Sequence, residues 1–152
     1  MSIANVMEWS DELSVGIQEI DEQHRFLVDL VNQINATMLA TNDAEAIRRD
    51  FDRLLEYTRT HFVVEESLMR ILGYPDYETH KSHHEGLLAQ VLQFKQRLDD
   101  IGRVSRVDLM DFLKHWLIEH IKREDRLYSE HFLSRGAQRT WLNVGWLKKF
   151  WH

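Results

Sequence analysis

The sequence predicts an all-α protein: an up-down-up-down antiparallel four-helix bundle with a short helical extension at the C-terminus. Three observations predict it. Apolar residues recur at three and four positions along four long stretches. The 152-residue chain holds one proline and six glycines, so little interrupts a helix. The breaks between the stretches are short, which sets consecutive helices antiparallel. The length suits one domain with a real core. We expect the bundle over residues 1–135 and the extension over 136–152.

The first helix is expected from about Asp21 to Leu39, with Leu27, Leu30, Val31, Ile34 and Met38 on one face. Asp21 is the candidate N-cap. Thr41, Asn42 and Asp43 break the pattern and can cap the next helix, with Glu45 three beyond Asn42. The second runs from about Ala44 to Leu72 and carries Phe51, Leu54, Leu55, Thr58, Phe62, Leu68 and Met69 at helical spacing. Gly73, Tyr74 and Pro75 stop it, with glycine just past the end and proline beyond. The third runs from about Tyr77 to Asp100 and stops at Gly102. The fourth starts near Ser105, with Asp108 three residues on, and reaches about Leu133.

Charge and composition exclude several classes. The formal net charge of −6 lacks the basic stripe of a nucleic-acid surface, so no nucleic-acid partner is expected. With no cysteine, disulfides, thiolate ligands and thiol nucleophiles are excluded. The first eleven residues lack the basic start and apolar centre of a secretory signal. No apolar run approaches the length that spans a membrane, so no transmembrane segment is expected. These features lead us to expect a cytoplasmic protein.

Histidine is the unusual entry, with nine copies. His24 falls in the first turn of helix one. His61 and Glu65 lie four apart on helix two, and His80 and His84 lie four apart on helix three. His120 sits on helix four with Asp125 five beyond. A step of four turns a helix by ~40° past a full circle, so both side chains face the same way one turn apart. Inward ligands from four helices are how a bundle builds a metal site in its core. Five imidazoles and two carboxylates, without sulfur, suit iron, zinc, copper or manganese. Seven ligands exceed one tetrahedral zinc and suit two metals bridged by the carboxylates. A single His-x-x-x-His pair is weak evidence, and Glu65 or Asp125 alone reads as a surface residue. The joint placement carries the weight.

Two positions stay open on spacing. His83 lies three from His80 and competes with His84. From His120 the regular partner is Glu124; a five-residue step points ~140° away unless the helix widens into a π-turn. The step of four from His61 selects Glu65 over Glu66.

The residues resemble the hemerythrin family, in particular the bacteriohemerythrins. The resemblance is carried by Trp9 and the run from Gly16 to His24; by His61 to Glu66 with Met69; by Tyr74 and Pro75 followed by His80 and His84; and by Trp116, Leu117, His120, Ile121 and Asp125. It covers residues 9 to 130. It implies a non-haem di-iron centre of two iron ions with an oxo or hydroxo bridge. One iron would take His80, His84 and His120, the other His24 and His61, with Glu65 and Asp125 bridging. The resemblance selects Asp125 over Glu124. It implies reversible dioxygen binding, for carriage, storage or delivery, at the iron with fewer histidines. Leu117 and Trp116, three and four residues before His120, would flank the oxygen pocket, with Phe62 and Ile121 adding to its wall. Ordinary core packing explains the same four residues.

The rival readings are a di-iron oxidase, peroxidase or nitric-oxide-processing enzyme, and an oxygen or redox sensor acting through a partner. The chain has no Glu-x-x-His and no His-Glu-x-x-His, the patterns of ferritin-like di-iron sites and zinc proteases. A histidine-rich site with few carboxylates stabilises ferric iron less and suits reversible chemistry, so no enzyme is expected. In the extension, Trp141, Leu142, Trp146, Leu147, Phe150 and Trp151 form an aromatic-rich patch beside Lys148 and Lys149. Three readings compete: it folds back over the bundle, docks a partner protein or second copy, or lies on a membrane surface. His115 and His131 fall outside the expected ligand set.

Overall fold

The computed structural model describes residues 5–134, apart from the side chains of residues 123 and 124. The chain makes a short 3-10 turn (Asp11–Leu13), then α1 (Gln18–Ala40), α2 (Ala44–Ile71), α3 (Tyr77–Ile101) and α4 (Arg106–Glu119). A π-helical turn (His120–Asp125) joins α4 to α5 (Arg126–Ser134), and the backbone stays right-handed helical through both junctions. The described residues contain no strand. None of their helices is long and apolar enough to cross a membrane. The expected extension over 136–152 lies outside the described residues.

Close approaches of the helix backbones run from α4 to α1, from α1 to α2 and from α2 to α3; the ring is most open between α3 and α4. The buried apolar stripes meet in one core. Ile34, Phe51, Leu54, Leu98, Leu109 and Leu113 are fully enclosed in it. Ridge-into-groove packing of these stripes, more than helix propensity, holds rods of this length together.

Helix ends follow local chemistry. α1 begins three residues before Asp21, with Ile17 in extended conformation as its cap. Asp21 is therefore not the N-cap. Its carboxylate is taken by the preceding loop, accepting from the Val15 amide at 2.8 Å and the Ser14 hydroxyl at 2.6 Å. At α2 the cap is Asp43 rather than Asn42, its carboxylate accepting from the Glu45 amide at 3.0 Å. Ser105 caps α4, accepting from the Asp108 amide at 3.3 Å. α2 closes with the Tyr74 amide donating to Met69 O and the Gly73 amide to Arg70 O. That paired closure needs a left-handed residue, and Gly73 supplies it at φ 66°.

The segment before α1 straps one face of the bundle. Met7, Leu13, Val15 and Ile17 are buried. The Met7 backbone exchanges two hydrogen bonds with the Asn32 side chain, and Arg126 Nη2 donates to Glu12 O at 2.8 Å. This ties α1 and α5 to the segment that carries the 3-10 turn.

Candidate metal centre

The seven candidate side chains come together in the core. His24 enters from α1, His61 and Glu65 from α2, His80 and His84 from α3, and His120 and Asp125 from the two ends of the π-turn. All seven are at most 3% exposed. The local cause is periodicity. The His61–Glu65 and His80–His84 pairs each span one α-turn on the apolar side of their helix. The π-turn supplies the fifth residue that brings Asp125 round to the face of His120.

Ligand-type atoms fall into two overlapping groups. His24, His61, Glu65 and Asp125 form one; Glu65, His84, His120 and Asp125 form the other, each with atoms within 4.8 Å of one another. Both groups use both carboxylates. His80 stands beside the second, its Nε2 3.5 Å from Asp125 Oδ1 and 3.8 Å from Glu65 Oε2. His24 Nε2 is 2.7 Å from Asp125 Oδ2, and His120 Nε2 is 3.0 Å from Asp125 Oδ1. His61 Nε2 touches Glu65 Oε1.

These approaches are short, yet they leave most of the atoms unsatisfied. Nε2 of His24, His61, His84 and His120 and all four oxygens of Glu65 and Asp125 are buried without a hydrogen-bond partner. An unsatisfied buried polar atom costs roughly 1–3 kcal/mol, more when charged. A cluster of eight such atoms aimed at shared points fits cations held between them, with nitrogen and oxygen donors of the right chemistry for iron.

Protonation follows from the packing. Burial and the nearby Glu65 push Asp125 up, but His120 and His24 outweigh them and hold it below the ordinary carboxylate range. Burial opposes ionisation of Glu65 too, and His61, His120 and His24 overcome it. Burial works against a charged His120 and His80, yet the two carboxylates lift them to about 10 and about 9. For His61 and His84 burial wins and the pKa falls.

Outer partners set the imidazole orientation. Glu66 Oε2 lies 2.9 Å from Nδ1 of His84. A carboxylate only accepts, so the proton sits on Nδ1 and the Nε2 lone pair points inward. The Gln23 amide oxygen does the same for His61. Glu66 thus serves outside the cluster. His83 is half-buried and stacks on His120, ring centroids 5.8 Å apart at 19°. His115 is exposed, and His131 faces the Leu72 carbonyl at 3.1 Å.

Of the four expected pocket residues, Phe62 stacks on His84 at 3.7 Å with rings nearly parallel and stands 5.2 Å from His120. Leu117 and Ile121 are 1% exposed. Trp116 donates from Nε1 to the Leu87 carbonyl at 3.2 Å. It lines a groove between α3 and α4 whose walls also include His83, Gln90 and His120.

Sequence reasoning missed Tyr128. Its ring meets His80 edge-on at 5.3 Å, it is fully buried, and its hydroxyl has no hydrogen-bond partner. Burial, with Asp125 and Glu65 adding, pushes its pKa well above normal, so the hydroxyl stays a neutral donor. Its signal was a position three after Asp125, one turn along the same face.

The profile of the hemerythrin HHE cation binding domain matches residues 15–131. A bacteriohemerythrin of Stenotrophomonas maltophilia is 31% identical over 144 residues, 93% of each chain. One of Methylococcus capsulatus is 30% identical over 81% of this chain and 94% of its own. A crystal structure of wild-type hemerythrin superposes with a TM-score of 0.74 at 30% identity, covering 82% of this chain and 95% of its own. A leucine-to-alanine hemerythrin variant gives 0.77 at 28%, covering 84% and 98%.

Proposed function

The chain belongs to the hemerythrin family, and on that premise we propose that His24, His61, Glu65, His80, His84, His120 and Asp125 hold two iron ions at which the protein binds dioxygen reversibly. The observation that carries this reading is the pair of ligand groups sharing Glu65 and Asp125 in a fully buried, histidine-rich cluster. Two iron ions held by these residues would supply the two-electron redox chemistry that reversible dioxygen binding requires.

The chain's own residues set the conditions for reversal. The shared carboxylates stay ionised, so both would be available as anionic ligands. Glu66 and Gln23 keep the lone pairs of His84 and His61 turned inward. Leu117, Ile121 and Phe62 give an apolar surround that keeps water and protons from the bound gas. Tyr128 adds a donor that keeps its proton at neutral pH. Storage or delivery of oxygen fits this buried centre.

The test is metal analysis and an optical spectrum of the purified protein, then mixing of the reduced form with oxygen. We expect two irons per chain and an oxy spectrum that reverses under vacuum. Rapid decay to the ferric form with turnover of a reductant would instead make it an enzyme.

A further inference from the structure

The most open seam of the bundle, between α3 and α4, holds a cavity of about 330 Å³. Leu87, Phe112 and Trp116 give it apolar walls, His115 and Glu119 stand at it, and His120 forms part of its lining. His120, itself buried, belongs both to the groove's wall and to the buried cluster.

The chain itself carries a fitting occupant. Eighteen residues follow Ser134, where α5 ends. They contain Trp141, Trp146, Phe150 and Trp151, and Arg135, Arg139, Lys148 and Lys149, with no acidic residue. All 25 acidic residues fall before them, the last being Glu130, so the segment and the body are opposite in charge. The lengths agree as well. His120 lies fourteen residues before Ser134, ~21 Å back along a helical rod. A helical return after a turn of about three residues brings Phe150 and Trp151 to that same level, and any extended stretch carries them farther.

We propose that residues 141–152 fold back along α5 and seat Phe150 and Trp151 in the α3–α4 groove, with Lys148 and Lys149 toward its Glu119 side. Seating depends on the groove, not on whether a metal is bound.

The chain has no native cysteine, so introduced pairs report cleanly. In the full-length protein as purified, Gln90→Cys with His152→Cys is oxidised by glutathione disulfide. Glu56→Cys with His152→Cys serves as the control on α2. The expected result is an intramolecular cross-link in the first pair and little in the control. Adding Phe150→Ser and Trp151→Ser should cut the yield several-fold. Equal yields in the two pairs, or a yield indifferent to the two serines, overturn the proposal. Cross-links running between chains overturn it in favour of a second copy. Failure of the first pair to cross-link, with co-sedimentation on phosphatidylserine vesicles, overturns it in favour of a lipid surface.

Discussion

His61 and His84 each do two jobs in the cluster, and the outer nitrogen decides how well the ring does the inner one. His84 shows this most clearly, because Glu66 fixes its tautomer from outside. Glu66→Ala frees the ring and should weaken metal binding roughly 10–100-fold while leaving the fold intact, as read by competition against a chelator. Protonation gives a second consequence. His80 and His120, raised to about 9 and about 10 without metal, are charged at neutral pH in the metal-free protein. Their stabilising effect is complete below the unfolded histidine pKa of about 6.5 and is lost as pH rises through 9 and 10. A metal needs the neutral rings, so loading at pH 7 should release protons and weaken as pH falls. Calorimetry in buffers of different ionisation enthalpy measures the release; buffer-independent heat would contradict it. Leu117, buried at 1%, belongs to this scale too. Leu117→Ala should cost roughly 2–5 kcal/mol of stability and leave a cavity beside the centre. It should also speed autoxidation, and an unchanged lifetime of the oxygenated spectrum would defeat the gating role.

At the level of elements, the π-turn is where spacing and geometry diverge. A regular helix from His120 would present the fourth residue on, yet Asp125, the fifth, reaches the cluster because six residues widen the helix. Spacing alone could not choose, since a π-turn has no strong sequence signature; the choice came from resemblance. The α-turn pairs on α2 and α3 were legible because a step of four is regular geometry. The start of α1 was not, because Asp21 has the composition of a cap while its carboxylate serves Ser14 and Val15. Gln23 was also beyond spacing, and the position of Tyr128 three after Asp125 gave only a face; the roles of both exist only after the helices pack. If the π-turn fixes the register, Asp125→Ala should bind one metal ion per chain instead of two, by elemental analysis. Retention of two would mean that the helix had relaxed to regular α and brought Glu124 inward.

Across the whole molecule, the bundle was legible because four apolar stripes and their short breaks admit few arrangements, and the seven candidate residues converge in it. The opening between α3 and α4 was not, since the gap depends on how closely the packed rods approach. The same packing forces two carboxylates and five imidazoles into one dry volume, so the metal-free bundle carries an unsatisfied centre joining all four helical rods. Binding only to the folded state stabilises it by ~2.7 kcal/mol when free metal is a hundredfold above the dissociation constant. For a domain of this size each kcal/mol raises Tm by roughly 3–4 °C. Loading with ferrous iron under anaerobic conditions should therefore raise Tm by about 10 °C. Because the ligands come from every rod, one cooperative transition should move as a whole. Differential scanning calorimetry of metal-free and loaded protein checks this. A second transition left at the metal-free temperature would show that one helix unfolds independently of the centre.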